Sequence, residues 1–85
     1  MAVIQAQRFS GTLTFNGFGH SVLTQGNGSH LLLVPENAPG LDPASTAAMT
    51  SELQARGFVA NQVVTVTGAV FQVGTVFGLR VQTIA

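Results

Sequence analysis

The stretch QVVTVTGAVFQVGTVFGLRVQTI, residues 62–84, decides the fold. Apolar and polar residues alternate along it, and Val73-Gly74 interrupts the alternation. A period of two marks a strand with one buried face. With Val73-Gly74 as a two-residue loop, residue 70 faces 77, 68 faces 79 and 66 faces 81. One face then collects Val64, Val66, Gly68, Val70, Phe77, Leu79 and Val81. The other collects Thr65, Thr67, Ala69, Phe71, Val76, Arg80 and Gln82. One register sorts both strands coherently, so the chain is expected to close on two long antiparallel strands.

Immediately upstream lies the one convincing helix. Asp42 suits the N-cap and Pro43 the first helical position. Gly57 suits the left-handed C′ position, and Phe58 can fold back on Leu53. Glu52 and Arg56 are spaced as an i,i+4 pair. Ala48, Met49 and Leu53 give only a thin apolar stripe, so the helix is expected to cap a core rather than form one. Residues 35–41 read as a loop.

Before that loop come three strands. Residues 7–15 place Phe9, Gly11, Leu13 and Phe15 on one side and Arg8, Ser10, Thr12 and Thr14 on the other. Asn16-Gly17 is a strong hairpin signal, and residues 18–25 return with His20, Val22 and Leu23. Gly26-Asn27-Gly28 marks a second turn. Residues 29–34 are apolar enough to be buried on both faces. Gly11 and Gly68 fall inside strands, where a small barrel must bend sharply. Residues 1–85 are thus expected to form one mainly β domain: a five-stranded antiparallel Greek-key barrel, with one short helix between strands three and four.

Composition limits what such a domain can do. Three arginines and three carboxylates are the only charges in 85 residues, against 25 Ser, Thr, Asn and Gln. Cysteine is absent, which removes disulfide and thiolate chemistry. A phosphate-binding face normally needs clustered Lys and Arg. No apolar run approaches the ~20 residues of a membrane-spanning helix. The first seven residues lack the positive and apolar regions of a signal peptide, and the compartment is left open. Solubility of a single domain usually leans on a surface about a quarter to a third charged. A chain this poor in charge is expected to hide surface against other chains.

The element order, the strand glycine Gly11 and the run Val64-Val-Thr-Val-Thr-Gly-Ala-Val70 resemble an OB-fold. The resemblance covers residues 7–84 and singles out no particular family. It implies ligand binding on the second and third strands and on the loops flanking strands one–two and four–five. That places a candidate surface on residues 16–34 and 72–76. The segment 16–34 departs from nucleic-acid-binding members, having no Lys or Arg and one aromatic, Phe18.

His20 and His30 are the only groups that titrate near neutrality. A two-residue turn at 26–28 puts them on opposite faces. A three-residue turn puts them on one face, four positions apart and ~13 Å along the ladder. Neither spacing makes a zinc site, and no metal or other cofactor is expected. Ser21 and Ser29 lie near histidines without a G-x-S-x-G elbow, and Gly26–Leu31 fails the dinucleotide pattern at its third glycine. Asn27-Gly28-Ser29 matches a glycosylation acceptor, a triplet common by chance. No catalysis is expected. Phe71, Val76 and Arg80 form an outward set that could stack on a ligand or pack on another subunit. Residues 2–6 or the helix could equally cover them within one chain. The leading expectation is a non-catalytic binding module acting by protein contact, chiefly homo-oligomeric assembly. Single-stranded nucleic-acid binding, disfavoured by charge, is the alternative. A small-ligand or oligosaccharide site between subunits is the third.

Overall fold

The alternation in residues 62–84 becomes two paired strands in the computed structural model, which describes residues 6–85. The elements are β1 (Gln7–Phe15), β2 (Ser21–Thr24), β3 (His30–Pro35), α1 (Pro43–Ala55), β4 (Gln62–Val73) and β5 (Val76–Ile84). The strands close into a barrel in the order β1-β2-β3-β5-β4. Leu13, Leu23, Leu33, Val66 and Leu79 fill it, all fully buried. Each such side chain contributes roughly 1.5–3 kcal/mol when withdrawn from water. Met49 and Leu53 of α1 complete the core.

The all-antiparallel arrangement expected from the sequence is corrected in one place. β3 and β5 run parallel, from Leu32↔Gly78 to Pro35↔Val81. A closed ring with an odd number of strands cannot alternate direction all the way round. The parallel step falls between two strands separated by α1 and β4, a connection long enough to reverse the chain.

The turns also differ from expectation. In the last hairpin, Val73 pairs with Val76, so the loop is Gly74-Thr75 rather than Val73-Gly74. Moving the loop by one residue moves the pairings as far as Gly68↔Val81 by two, which leaves the faces as read; past a bulge at that point Val66 pairs with Ile84 rather than Val81, a shift of three. Between β1 and β2 the face assignment changes. The Asn16 side-chain oxygen accepts the N–H groups of Phe18 at 2.9 Å and His20 at 3.0 Å. That side chain replaces the two-residue turn with a loop over residues 16–20. A two-residue turn at Asn16-Gly17 would set His20 beside Leu13 and Val22 as a core-edge histidine; instead Leu23 faces Leu13, and His20 with Val22 turns away from the core.

Two glycines let the barrel close. A Cβ at Gly68 would run into the carbonyl oxygen of Arg80, and one at Gly11 into that of Thr24. Beside Gly68 the ladder carries a bulge: Thr67 pairs with Thr83 and Gly68 with Val81, leaving Gln82 as the extra residue.

The helix ends follow local chemistry. Asp42 accepts the Ser45 N–H at 3.1 Å. At the other end Gly57 takes φ +91°, and Phe58 N–H reaches Leu53 O at 3.0 Å while Gly57 N–H reaches Gln54 O at 3.1 Å. These two bonds are the Schellman pattern. Arg56 turns to the Phe58 ring, 5.5 Å away, and to the Ile84 carbonyl, rather than to Glu52 as its spacing suggested.

Hydrogen bonds from the Ser45 side chain and backbone hold the Asp42 carboxyl below its ordinary value. Folding that lowers a carboxyl pKa adds stability above the unfolded value, ~3.9, and loses it as pH falls through the folded one. Asp42→Asn keeps the cap but not the charge. It is expected to flatten the acid limb of a Tm-against-pH curve, with a small loss at pH 7. An acid limb matching the parent's would contradict this role.

Candidate functional site

The outer face of the barrel is built by strand alternation. With Ser21, Leu23, Leu31 and Leu33 turned inward, Val22, Thr24, His30 and Leu32 turn out. Register brings Val22 beside Leu32, Leu32 beside Gly78, and Gly78 beside Phe71. β3 and β5 begin to pair only at Leu32↔Gly78, so Val76 and Phe77 precede the first β3 partner. A cleft of about 510 Å³ lies there, lined by Val22, Gly28, Ser29, His30, Leu32, Thr75, Val76 and Phe77. Neither this cleft nor a smaller one of about 290 Å³ beside it, which shares Ser29, His30 and Phe77, is lined by a charged residue.

Of the sequence-derived candidates, His30 and Val76 meet in the larger cleft. Phe71 and Arg80 lie on the same sheet but are engaged elsewhere. The Arg80 guanidinium sits 4.0 Å from the Phe71 ring centroid. Its Nε donates to Ala38 O at 2.9 Å and its Nη2 to Pro39 O at 3.2 Å. The Phe71 ring lies over Gly78, with the Leu41 side chain alongside. The cover over this pair is therefore the loop before α1, rather than α1 itself; the other cover considered, residues 2–6, lies outside the described residues except for Ala6. Arg80→Met should free that loop. Amide exchange at Ala38 is expected to quicken about tenfold, the loss of roughly one charged hydrogen bond. Unchanged exchange would mean that Arg80 does not hold the loop.

Phe18 and His20 occupy the loop between β1 and β2, with ring centroids 6.3 Å apart. The Gln25 N–H bonds to Ser29 O and Thr24 pairs with His30, so the second hairpin has the three-residue loop 26–28. His20 and His30 then share a side but stand four positions apart, and the His30 Nδ1 is 3.0 Å from the Thr24 hydroxyl. Among the described residues no group of three or more His, Asp or Glu side chains gathers as metal ligands.

Sequence reasoning missed Phe77 as part of the site; Leu32 and Thr75 fall within the candidate segments 16–34 and 72–76 but were not singled out. Phe77 read as core by its face, yet it is 46% exposed. The signal was the length of the final strands, which outrun their neighbours and leave inner-face residues uncovered. Comparison with known proteins adds no family: no family model, curated protein or solved structure matches this chain. No helix among the described residues is long and apolar enough to cross a membrane.

Proposed function

We propose that this chain is an OB-like, non-catalytic binding module that assembles with copies of itself through the β2–β3–β5 face. One observation carries the reading: an apolar cleft with Val76 42% and Phe77 46% exposed has no charged residue in its lining. Interface centres are depleted of charge and enriched in aromatics in this way. A chain with six charges also has little else to shield such a surface from its own kind. Sedimentation velocity across micromolar concentrations tests it. A concentration-dependent rise to a defined multimer is expected, and a monomer throughout would overturn it.

Single-stranded nucleic acid is the second reading, favoured by the position of the cleft on β2, β3 and the β4–β5 loop, where OB-like barrels take ligands. It lacks the stacking pair first assigned to it. Arg80 is spent on two carbonyls and Phe71 lies beneath it. It requires affinity for short oligonucleotides that falls steeply with salt. A small neutral ligand between subunits, held by Ser29, Thr75 and His30, would instead appear as added mass on the assembled protein.

A further inference from the structure

We propose that Phe18 of one copy seats in the β2–β3–β5 cleft of another. This rests on the self-assembly reading and specifies its contact. Phe18 is 87% exposed, more than any other large apolar residue among those described.

The loop that carries it is tied down at several points. Asn16 Oδ1 accepts the N–H groups of Phe18 and His20. The Asn16 N–H donates to His20 O at 3.0 Å, and Gly19 N–H to Asn16 O at 3.1 Å. From below, the Thr50 hydroxyl of α1 donates to Gly19 O at 2.6 Å and exchanges a bond of 2.7 Å with the buried Ser21 hydroxyl. An aromatic ring presented on a loop held in this way loses little entropy on docking, which is the condition for a hot spot.

The cleft offers the matching chemistry. Val22, Leu32, Val76 and Phe77 give it apolar walls, and Ser29, His30 and Thr75 give it polar groups, with no Asp, Glu, Lys or Arg among the lining. A phenyl ring entering it displaces water and leaves no ion unpaired. Phe18 does not line its own cleft. The loop 16–20 precedes β2, whereas the cleft runs from Val22 and its partner Leu32 to His30, which pairs with Thr24 at the end of β2, and on to Gly28 in the turn. The cleft thus extends away from the loop 16–20 toward the β2–β3 turn, and a second copy is the partner that would join ring and cleft. Projection and receptor are different surfaces, so the contact can propagate into a closed ring or be made reciprocally across a two-fold axis.

Complementation separates this contact from any other mode of association. Phe18→Ser removes the ring and keeps the cleft. Val76→Asp spoils the cleft and keeps the ring. Both positions are exposed, so circular dichroism of each variant is expected to match the parent. Each alone should be monomeric where the parent assembles, with self-dissociation constants raised about thirtyfold or more. Mixed, they should form a one-to-one heterodimer, because one supplies the ring and the other the cleft. A parent multimer with an unaffected Phe18→Ser variant would overturn this contact while leaving self-assembly intact. So would a mixture that stays monomeric. A monomeric parent would overturn the self-assembly reading itself, and this contact with it. The chain has no Trp or Tyr, so Phe18→Trp adds a second readout. Its emission is expected to shift to the blue on concentration and to stay unshifted in the Val76→Asp background. An emission maximum independent of concentration, in a variant that still assembles, would contradict the contact.

Discussion

Gly68→Val is expected to leave no cooperatively folded barrel, and Gly68→Ala to lose about 3 kcal/mol or more in urea denaturation. The reason is the space at Gly68. The Arg80 carbonyl occupies the position that a Cβ would take, with Leu79 Cδ1 close behind. Carbonyl and backbone belong to the paired strand, so they cannot rotate aside as a flexible side chain would. Relief must come from opening the β4–β5 ladder, where the bulge at Gln82 already bends it. A domain of this size has a total stability on the order of 5–10 kcal/mol, so one methyl group consumes a large part of it. Gly40→Ala is the control. Nothing lies within 4 Å of a Cβ there, and its change should stay within about 0.5 kcal/mol. Gly68→Ala and Gly40→Ala variants of equal stability would contradict the close approach of β4 and β5.

The second large effect concerns association rather than folding. Val76→Asp, with or without Phe77→Asp, is expected to raise the self-dissociation constant by about a hundredfold or more. A carboxylate placed in the cleft finds no Lys or Arg among the lining to pair with. Covering it with a second copy would strand the charge away from water. Stability of the separate chain should change little, since Val76 is 42% exposed and contributes little to the core. Thermal unfolding at a concentration below association, read beside sedimentation, separates the two quantities. Loss of folding together with loss of assembly would count against a surface role for Val76.

What could be read from the residues was mostly local. Asp42, Pro43, Gly57 and Phe58 each act within one turn of the helix end, so α1 was legible to within a residue of its caps. The faces of β4 and β5 were legible because a two-residue alternation survives a one-residue error in the loop. The face of β2 was not. Asn16-Gly17 looked like a two-residue turn, but the Asn16 side chain takes two backbone N–H groups and widens the loop. The parallel step between β3 and β5 followed from closure of a five-membered ring, which no single stretch of sequence displays. The site was least legible. Phe77 and Leu32 line a cleft only because β3 starts to pair with β5 at Gly78. Arg80 read as an outward residue that residues 2–6 or the helix could cover, whereas its partners are carbonyls at residues 38 and 39, far away in sequence.

Self-assembly through the β2–β3–β5 face is the central claim, and native mass spectrometry of the purified chain without added ligand tests it most directly. A discrete multiple of the 8.8 kDa chain, reduced to single chains by Val76→Asp, is the expected spectrum. An 8.8 kDa species alone, at concentrations of tens of micromolar, would contradict it.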